Sequence, residues 1–427
     1  MIRTILRVTR SEGIGSALRR ARERAGESLR LRGMLIRGVG ERLRAAPLLN
    51  VSAMGPHPRL GGVPTQMIAR LDEERSMRNV ALLYPGILEV GSGARRAPHF
   101  APSAALHDRD LDVAFEQAVD ITGARAIHLE GTAGLPIGKI LKMANAGLDV
   151  ILTPMDFALF CARPHLVEQP AGIFCDYSTD LDRCRRCLQS LSVDPNAQAD
   201  RRAIARDLMQ AARAVVFISD FLRDKHRELF ALPDLTAHMI EPAVPLRVVP
   251  RATHGRRARI AYAGSVKPHK GAHLLPQIIA ALEKEEVDWH VFGGGDEELL
   301  HSLRNLPNTT VHGYYRAGQL PSLLARHAID LGLLLSIWPE TFSFTLSECW
   351  AAGVPAAAFA HGAIAERITR EGGGWLAPMN EGVAGIVTIV RRWLAGELTT
   401  DIPAVTRTPR DTATDHVALY RSLGLID

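Results

Sequence analysis

Two doubly wound α/β domains facing each other across a cleft are what this sequence predicts, and three observations predict them. From residue 47 onward, short apolar runs alternate with helical stretches, the pattern of a mostly parallel sheet covered on both faces. A Pro-containing stretch, Glu241-Pro-Ala-Val-Pro-Leu-Arg-Val-Val-Pro250, interrupts that alternation once. The chain has 427 residues, enough for two or three domains and a large core without a disulfide or metal staple.

The first series has buried-strand patterns at Leu48–Met54, Val80–Tyr84, Ala126–Leu129, Val150–Thr153 and Val215–Ser219. Helices fit around Ile137–Ala146 and Arg201–Arg213. The second series reads as strands Ile260–Ala263, Trp289–Phe292, Thr310–Gly313, Leu331–Leu335 and Ala356–Phe359. Its helices fall near 272–285, 296–304, 318–326, 343–352 and 382–394, and Asp411–Leu423 reads as a further helix. The expected organisation is a basic segment 1–46, a first domain 47–243, a second domain 244–400 and a C-terminal tail or helix 401–427. Ligands in such folds lie beyond the carboxyl ends of the strands.

Composition is that of a globular protein, 47% hydrophobic and 23% charged. No run of about 18 apolar residues escapes a charge or turn breaker, which excludes an integral membrane protein. Charge is uneven. Residues 1–46 hold twelve Arg against four Glu, net +8, while the remaining 39 basic and 42 acidic residues give −3. In Ile14–Leu29, Ile14, Leu18, Ala21, Ala25 and Leu29 recur at helical spacing among arginines, an amphipathic basic helix suited to an anionic membrane surface or docked on its own domain. With 5% aromatics, no Lys in this segment and no recognisable module, no nucleic-acid partner is expected. No secretory signal is visible, so the expected location is cytoplasmic, with reduced thiols.

Four of five cysteines, Cys161, Cys175, Cys184 and Cys187, cluster in a turn-rich stretch of about 161–190 containing one Cys-x-x-Cys pair. Four thiolates there would hold a structural zinc; the alternative is an inert reduced loop. Dinucleotide and Walker fingerprints fail. Gly91–Gly93 and Gly293–Gly295 meet Arg96 and Glu298 where a third glycine belongs, and Gly138-Lys139 lacks its flanking residues.

The second domain carries the chemistry. After the strand ending at Ala263 comes Gly264-Ser-Val-Lys267-Pro-His-Lys270-Gly271, a turn whose glycines admit a ligand and whose lysines suit a diphosphate. After the strand 331–335 comes Trp338-Pro-Glu340-Thr-Phe342-Ser343-Phe344-Thr345-Leu-Ser-Glu348-Cys-Trp-Ala-Ala-Gly353-Val-Pro355. Its carboxylates suit sugar and ribose hydroxyls, and the amides of Ser343–Thr345 suit phosphate; N-capping by Ser343 is the competing explanation.

These residues resemble the retaining nucleotide-sugar glycosyltransferases of the GT-B fold, glycosyltransferase family 4. Glu340 and Glu348 have the family's Glu-x7-Glu spacing, and Gly264–Gly271 is similar to its diphosphate loop. More weakly, Leu60-Gly61-Gly62-Val63 resembles its early glycine loop and Ala126-Ile-His128-Leu its His-x-His strand. Leu152-Thr-Pro-Met155-Asp156-Phe157, followed by Cys161, resembles the Thr-x-His-Asp-Phe stretch of its polysaccharide enzymes. The resemblance implies transfer, with retention, from a nucleotide-sugar of UDP, GDP or dTDP type to a glycan or lipid-linked acceptor at the inner face of the membrane, with no metal required. It implies that Glu340 and Asp156 are catalytic, that Glu348 binds ribose, and that His128 faces the acceptor. Gly61, Gly62, Gly264, Lys267, Lys270 and Phe342–Thr345 would hold the donor. Two positions depart from the family: Ser265 stands where its diphosphate-binding Arg is usual, and Met155 where its active-site His is usual. Those departures leave open a degenerate sugar-nucleotide-binding or scaffold protein of the same fold.

Overall fold

The computed structural model describes residues 47–54, 62–84, 87–92, 95–99, 115, 118–119 and 122–427, except 244, 248, 251, 253–254 and 256. Gly61 and the basic segment 1–46 lie outside the described residues. The first unit runs β1 (Leu48–Val51), α1 (Val63–Glu74), β2 (Val80–Tyr84), β3 (Ile87–Ser92), β4 (Arg95–His99), β5 (Ala126–Glu130), α2 (Ile137–Asn145) and β6 (Asp149–Thr153). It continues through a small hairpin, β7 (Val167–Glu168) and β8 (Ile173–Phe174), then α3 (Leu181–Leu188), α4 (Pro195–Ala211), β9 (Ala214–Phe217), α5 (Asp220–Leu229) and β10 (Ala237–Met239).

Its eight strands are ordered β10-β9-β6-β5-β1-β2-β3-β4. The central strands are parallel and buried along their length, as the unbroken run Leu48-Leu-Asn-Val51 foretells. Asn50 inside that run donates from Nδ2 to the Ala81 carbonyl at 3.0 Å, so its amide nitrogen is not left bare in the core. The sheet is not wholly parallel: β3 pairs antiparallel with β2, and β4 with β3. Pro85-Gly86 between two apolar runs is the sequence signal for that hairpin.

The second unit runs β11 (Ala258–Ala263), α6 (Leu275–Ala281), β12 (Val287–Phe292), α7 (Glu297–Arg304), β13 (Thr309–Gly313), α8 (Leu320–Arg326), β14 (Leu331–Leu334), α9 (Phe344–Ala351), β15 (Ala356–Phe359), α10 (Gly362–Glu371), β16 (Gly374–Ala377) and α11 (Gly382–Leu394). Its six strands are all parallel, in the order β13-β12-β11-β14-β15-β16. The order in which strands are added reverses between β11 and β14, which makes the gap beyond their carboxyl ends the topological switch point. Local chemistry sets the helix starts. Asp194 caps α4 ahead of Pro195, and Asp296 caps α7 ahead of Glu297 and Glu298.

The chain then returns. Helix α12 (Pro409–Ser422) opens on a Thr408–Asp411 capping box and lies on the first sheet, not the second. Its Leu419 and Tyr420 share a core with Leu48, Ala126, Ile151 and Val216. The two units are also joined beside the switch point. Ile337, Trp338 and Phe342, from the loop after β14, are buried in the first unit's core. Among the described residues, no helix is long and apolar enough to cross a membrane.

Candidate active site

The turn after β11 is held against its neighbours by backbone crowding that only glycine permits. A Cβ on Gly293, at φ +140°, would stand 1.8 Å from the Gly264 carbonyl oxygen. A Cβ on Gly271, at φ +70°, would stand 1.7 Å from the Leu335 carbonyl oxygen. The loops after β11, β12 and β14 therefore pack backbone to backbone. The Ile337 amide, donating to the His269 carbonyl at 3.1 Å, adds to this. The packing carries Lys270 to Glu340, 70 residues later in the chain.

Glu340 is 7% exposed, and three donors converge on one of its oxygens. Lys270 Nζ, Ser336 Oγ and Trp338 Nε1 (3.1 Å) all bond Oε1, while Oε2 takes none of them. The Lys270 ammonium also lies 5.2 Å from the Trp338 ring centroid. A buried carboxylate gripped at one oxygen by three donors is fixed in one rotamer, with Oε2 left to other partners.

Helix α9 begins two residues past Phe342. Ser343 precedes it at φ +70°, ψ +84°, and its side chain makes no capping bond. The capping explanation for Ser343 fails, and the first-turn amides have no side-chain cap from it. The left-handed backbone there costs about 1–3 kcal/mol and needs outside support. Arg367 of α10 provides it. Its guanidinium donates to the Phe342 and Ser343 carbonyls (3.2 and 3.1 Å) and to Ser347 Oγ (2.9 Å), and it stacks 4.2 Å from the Phe342 ring centroid. One turn into α9, Glu348 is 6% exposed, and burial pushes its carboxyl up to about 8 against a bond from the Gly318 backbone.

The first unit contributes less. Gly62 caps α1 at φ +56° and faces the Phe344 ring, 3.9 Å from where its Cβ would stand. Asp156 Oδ1 accepts from the Ala158 amide at 2.8 Å, and burial pushes the carboxyl up to about 6. Met155 accepts from Gln66 at its sulfur (3.4 Å) and from Thr341 Oγ1 at its carbonyl (2.8 Å), a link between the units.

His128 requires a correction. It is wholly buried and does not line the cleft. Its ring nitrogens bond Tyr420 Oη (2.7 Å) and Thr153 Oγ1 (2.6 Å), beneath an Arg70–Glu130 ion pair. Helix α12 seals it from any acceptor. For the cysteines, the geometry favours the inert reduced loop over the zinc site. No three of the sulfurs of Cys161, Cys175, Cys184 and Cys187 gather within 4.8 Å among the described residues, and burial pushes the Cys161 thiol up to about 11. A tetrahedral thiolate set is not formed.

Sequence reasoning missed four residues at the cleft. Ser336 and Trp338 hold Glu340, as described. His165 and His269 stack across the two units with ring centroids 4.0 Å apart. Burial holds both imidazoles neutral, down to about 4 and about 3. His165 follows Cys161 by four residues and reads there as part of the cysteine stretch. Only the fold turns it toward Lys270.

Most of these groups meet at one cavity of about 520 Å³ between the two sheets. It is lined by Gly62, Met155, Asp156, Gly264, Lys267, Lys270, Glu340, Phe342–Thr345 and Glu348. A two-sheet protein with its cavity at the switch point of the second sheet has a known counterpart.

The chain has the GT-B fold. Residues 250–403 match the model of the family described as glycosyl transferases group 1. Among solved structures, sucrose-phosphate synthase from Thermosynechococcus elongatus is similar at 15% identity and TM-score 0.59, covering 88% of this chain and 96% of its own. The catalytic domain of starch synthase IV from Arabidopsis thaliana, bound to ADP and acarbose, is similar at 12% identity and TM-score 0.61, covering 89% and 100%. HepE of Anabaena, in complex with UDP and glucose, is similar at 12% identity and TM-score 0.51, with the same coverage. No curated protein matches the sequence.

Proposed function

We propose that this chain is a retaining glycosyltransferase of family 4. It would move a sugar from a UDP, GDP or dTDP sugar to a glycan or lipid-linked acceptor in surface polysaccharide biosynthesis. The observation that carries the reading is the convergence of Lys270, Glu340, the uncapped start of α9 and Glu348 on one cavity. Its volume suits a small ligand of nucleotide-sugar size. Nucleotides in the similar structures, ADP in one and UDP in another, support the donor class.

In this reading the nucleotide lies on the second unit. Glu348 accepts the ribose hydroxyls, and the diphosphate lies between Lys267, Lys270 and the amides of Phe344 and Thr345. Positive charge and oriented amides in a partly dry cleft stabilise the departing diphosphate, and they make a catalytic metal unnecessary. The free Oε2 of Glu340 accepts from a sugar hydroxyl. The acceptor oxygen takes the place of the diphosphate on the anomeric carbon. Asp156 borders the acceptor side, with a carboxyl poised near neutrality to take the hydroxyl proton.

The test pairs binding with turnover. Thermal shift against UDP, GDP, dTDP and ADP identifies the base, since ligand at about 100 times its Kd stabilises by roughly 2.7 kcal/mol. Nuclear magnetic resonance of the product from that donor reads the anomeric configuration, and inversion would overturn the retaining assignment. A second reading, a degenerate sugar-nucleotide-binding or scaffold protein, is favoured by Met155 and Ser265. Binding without nucleotide release from any acceptor mixture would establish it. The basic segment 1–46 is proposed to hold the protein on the anionic inner face of the membrane. Liposome binding unchanged by deleting those residues would refute that.

A further inference from the structure

Away from the cleft, three histidines from three elements meet beside the outer edge of the second sheet. His290 lies on β12, His312 on the edge strand β13, and His327 follows the last residue of α8. One ring nitrogen from each lies within 4.8 Å of the other two. His290 Nδ1 and His312 Nε2 stand 2.9 Å apart, with their rings parallel to within 6°. The His312 and His327 ring centroids are 4.4 Å apart. Phe292 stacks on His312 at 4.3 Å, walling the cluster on one side. None of the three lines the cavity between the sheets.

Three imidazoles this close are poor company as cations. Burial and mutual repulsion hold His290 and His312 down to about 4, and burial lowers His327 as well. Arg259 and Arg326 add positive potential, opposed at His290 by Asp288. Neutral imidazole is the form that binds metal, and the three ring nitrogens already lie within one ion's reach. Nitrogen ligands at about 2.0–2.1 Å from a tetrahedral ion lie roughly 3.3–3.4 Å from one another. The His290–His312 pair needs to open by only a fraction of an ångström to reach that spacing.

We propose that His290, His312 and His327 bind one divalent transition metal of the zinc type, with water in the fourth position. The site does not depend on what the cleft binds. Its effect on the fold follows from its anchors. His312 precedes and His327 follows the segment 313–326, whose Tyr314, Tyr315, Ala317 and Gly318 wall the cavity. A metal across the two ends clips that wall in place.

The experiment uses the untagged full chain, dialysed against chelator and titrated with Co²⁺ and then Zn²⁺. One equivalent of Co²⁺ is expected, with visible bands of a nitrogen-ligated tetrahedral ion, no thiolate charge-transfer band, and displacement by Zn²⁺. His312→Ala and, separately, His327→Gln are expected to lower affinity by at least about 100-fold. The Zn²⁺-induced rise in Tm should vanish with them. Using both variants guards against one failing to fold. No binding by the wild type, a thiolate signature, or undiminished affinity in both variants would overturn the site.

Discussion

The two sheets end in loops of the same topological kind, yet they commit to the ligand differently. In the second unit, the loops after β11 and β14 are locked by backbone contact at Gly271 and by the Lys270–Glu340 bond. In the first unit, the cleft side includes Gly62, Met155, Asp156 and His165, and Asp156 is held by one amide bond to its own loop. The buried polar network of that unit, from Arg70 through Glu130 to His128, belongs to its junction with α12. The second unit's side of the cleft is tied by contacts between its loops, whereas the first unit's side has few such ties; under the proposed function the second unit is the donor side and the first the place for acceptor differences.

The largest effect expected from that contrast is at Glu340 and Lys270. Glu340→Ala or Lys270→Ala should each lower turnover by about 10²–10³-fold, the scale of removing one preorganised electrostatic contact. Because the two bond each other, the double variant should lose much less than the product of the single losses. Steady-state kinetics with circular dichroism as a folding control reads both. Multiplicative losses would mean that the pair does not act as a unit.

The next effect tests the first unit. Tyr420→Phe removes the hydroxyl that joins Arg70 and His128. It should cost about 1–3 kcal/mol, since both partners remain buried. Acceptor KM should stay at the wild-type value while Tm falls by about 1–3 °C. A raised acceptor KM with unchanged Tm would instead return His128 to the acceptor side.

This contrast also explains what could be read in advance. The strands of both units, the turn Gly264–Gly271 and the spacing of Glu340 to Glu348 are contiguous patterns, so alternation and spacing reveal them. Ser336 and Trp338 were within sight of Glu340, but nothing local aims them at it. Arg367 and His165 act across the fold, and no spacing encodes such a contact. The resemblance of its strand to a family motif places His128 on the acceptor side, and a local motif cannot tell that a helix nearly 300 residues later covers the residue. The four cysteines leave a zinc site and an inert loop both open, because closeness in sequence does not decide convergence in space.

A smaller effect concerns Glu348 and pH. A carboxyl held at about 8 when folded, against an ordinary value near 4.5, binds more protons folded than unfolded between those values. Stability from this group is therefore lost as pH rises from about 5 to 8, and the loss levels off above that. Glu348→Gln removes the contribution. The Tm of the variant relative to wild type should accordingly climb across that window in the absence of nucleotide. A difference flat from pH 5 to 8 would mean that the group ionises normally.

The smallest effect expected is at Met155, and it bears most directly on the choice between transferase and scaffold. Met155 lines the cleft beside Asp156, where its thioether has no N–H or O–H to donate to a sugar hydroxyl. The cleft already holds a neutral imidazole in His165, stacked on His269 near Lys270 and Glu340. If the frame in the second unit carries the chemistry, Met155→His should raise turnover by no more than about 10-fold, the worth of one hydrogen bond of about 1.4 kcal/mol. If the chain is a scaffold that lost its function at this position, turnover should appear only in Met155→His, or only with Ser265→Arg added. A progress curve for wild type and both variants with one donor separates these cases. Turnover in the wild type places catalysis on the Glu340 side. Activity confined to the variants shifts the decisive group to the first unit and reverses the contrast between the two.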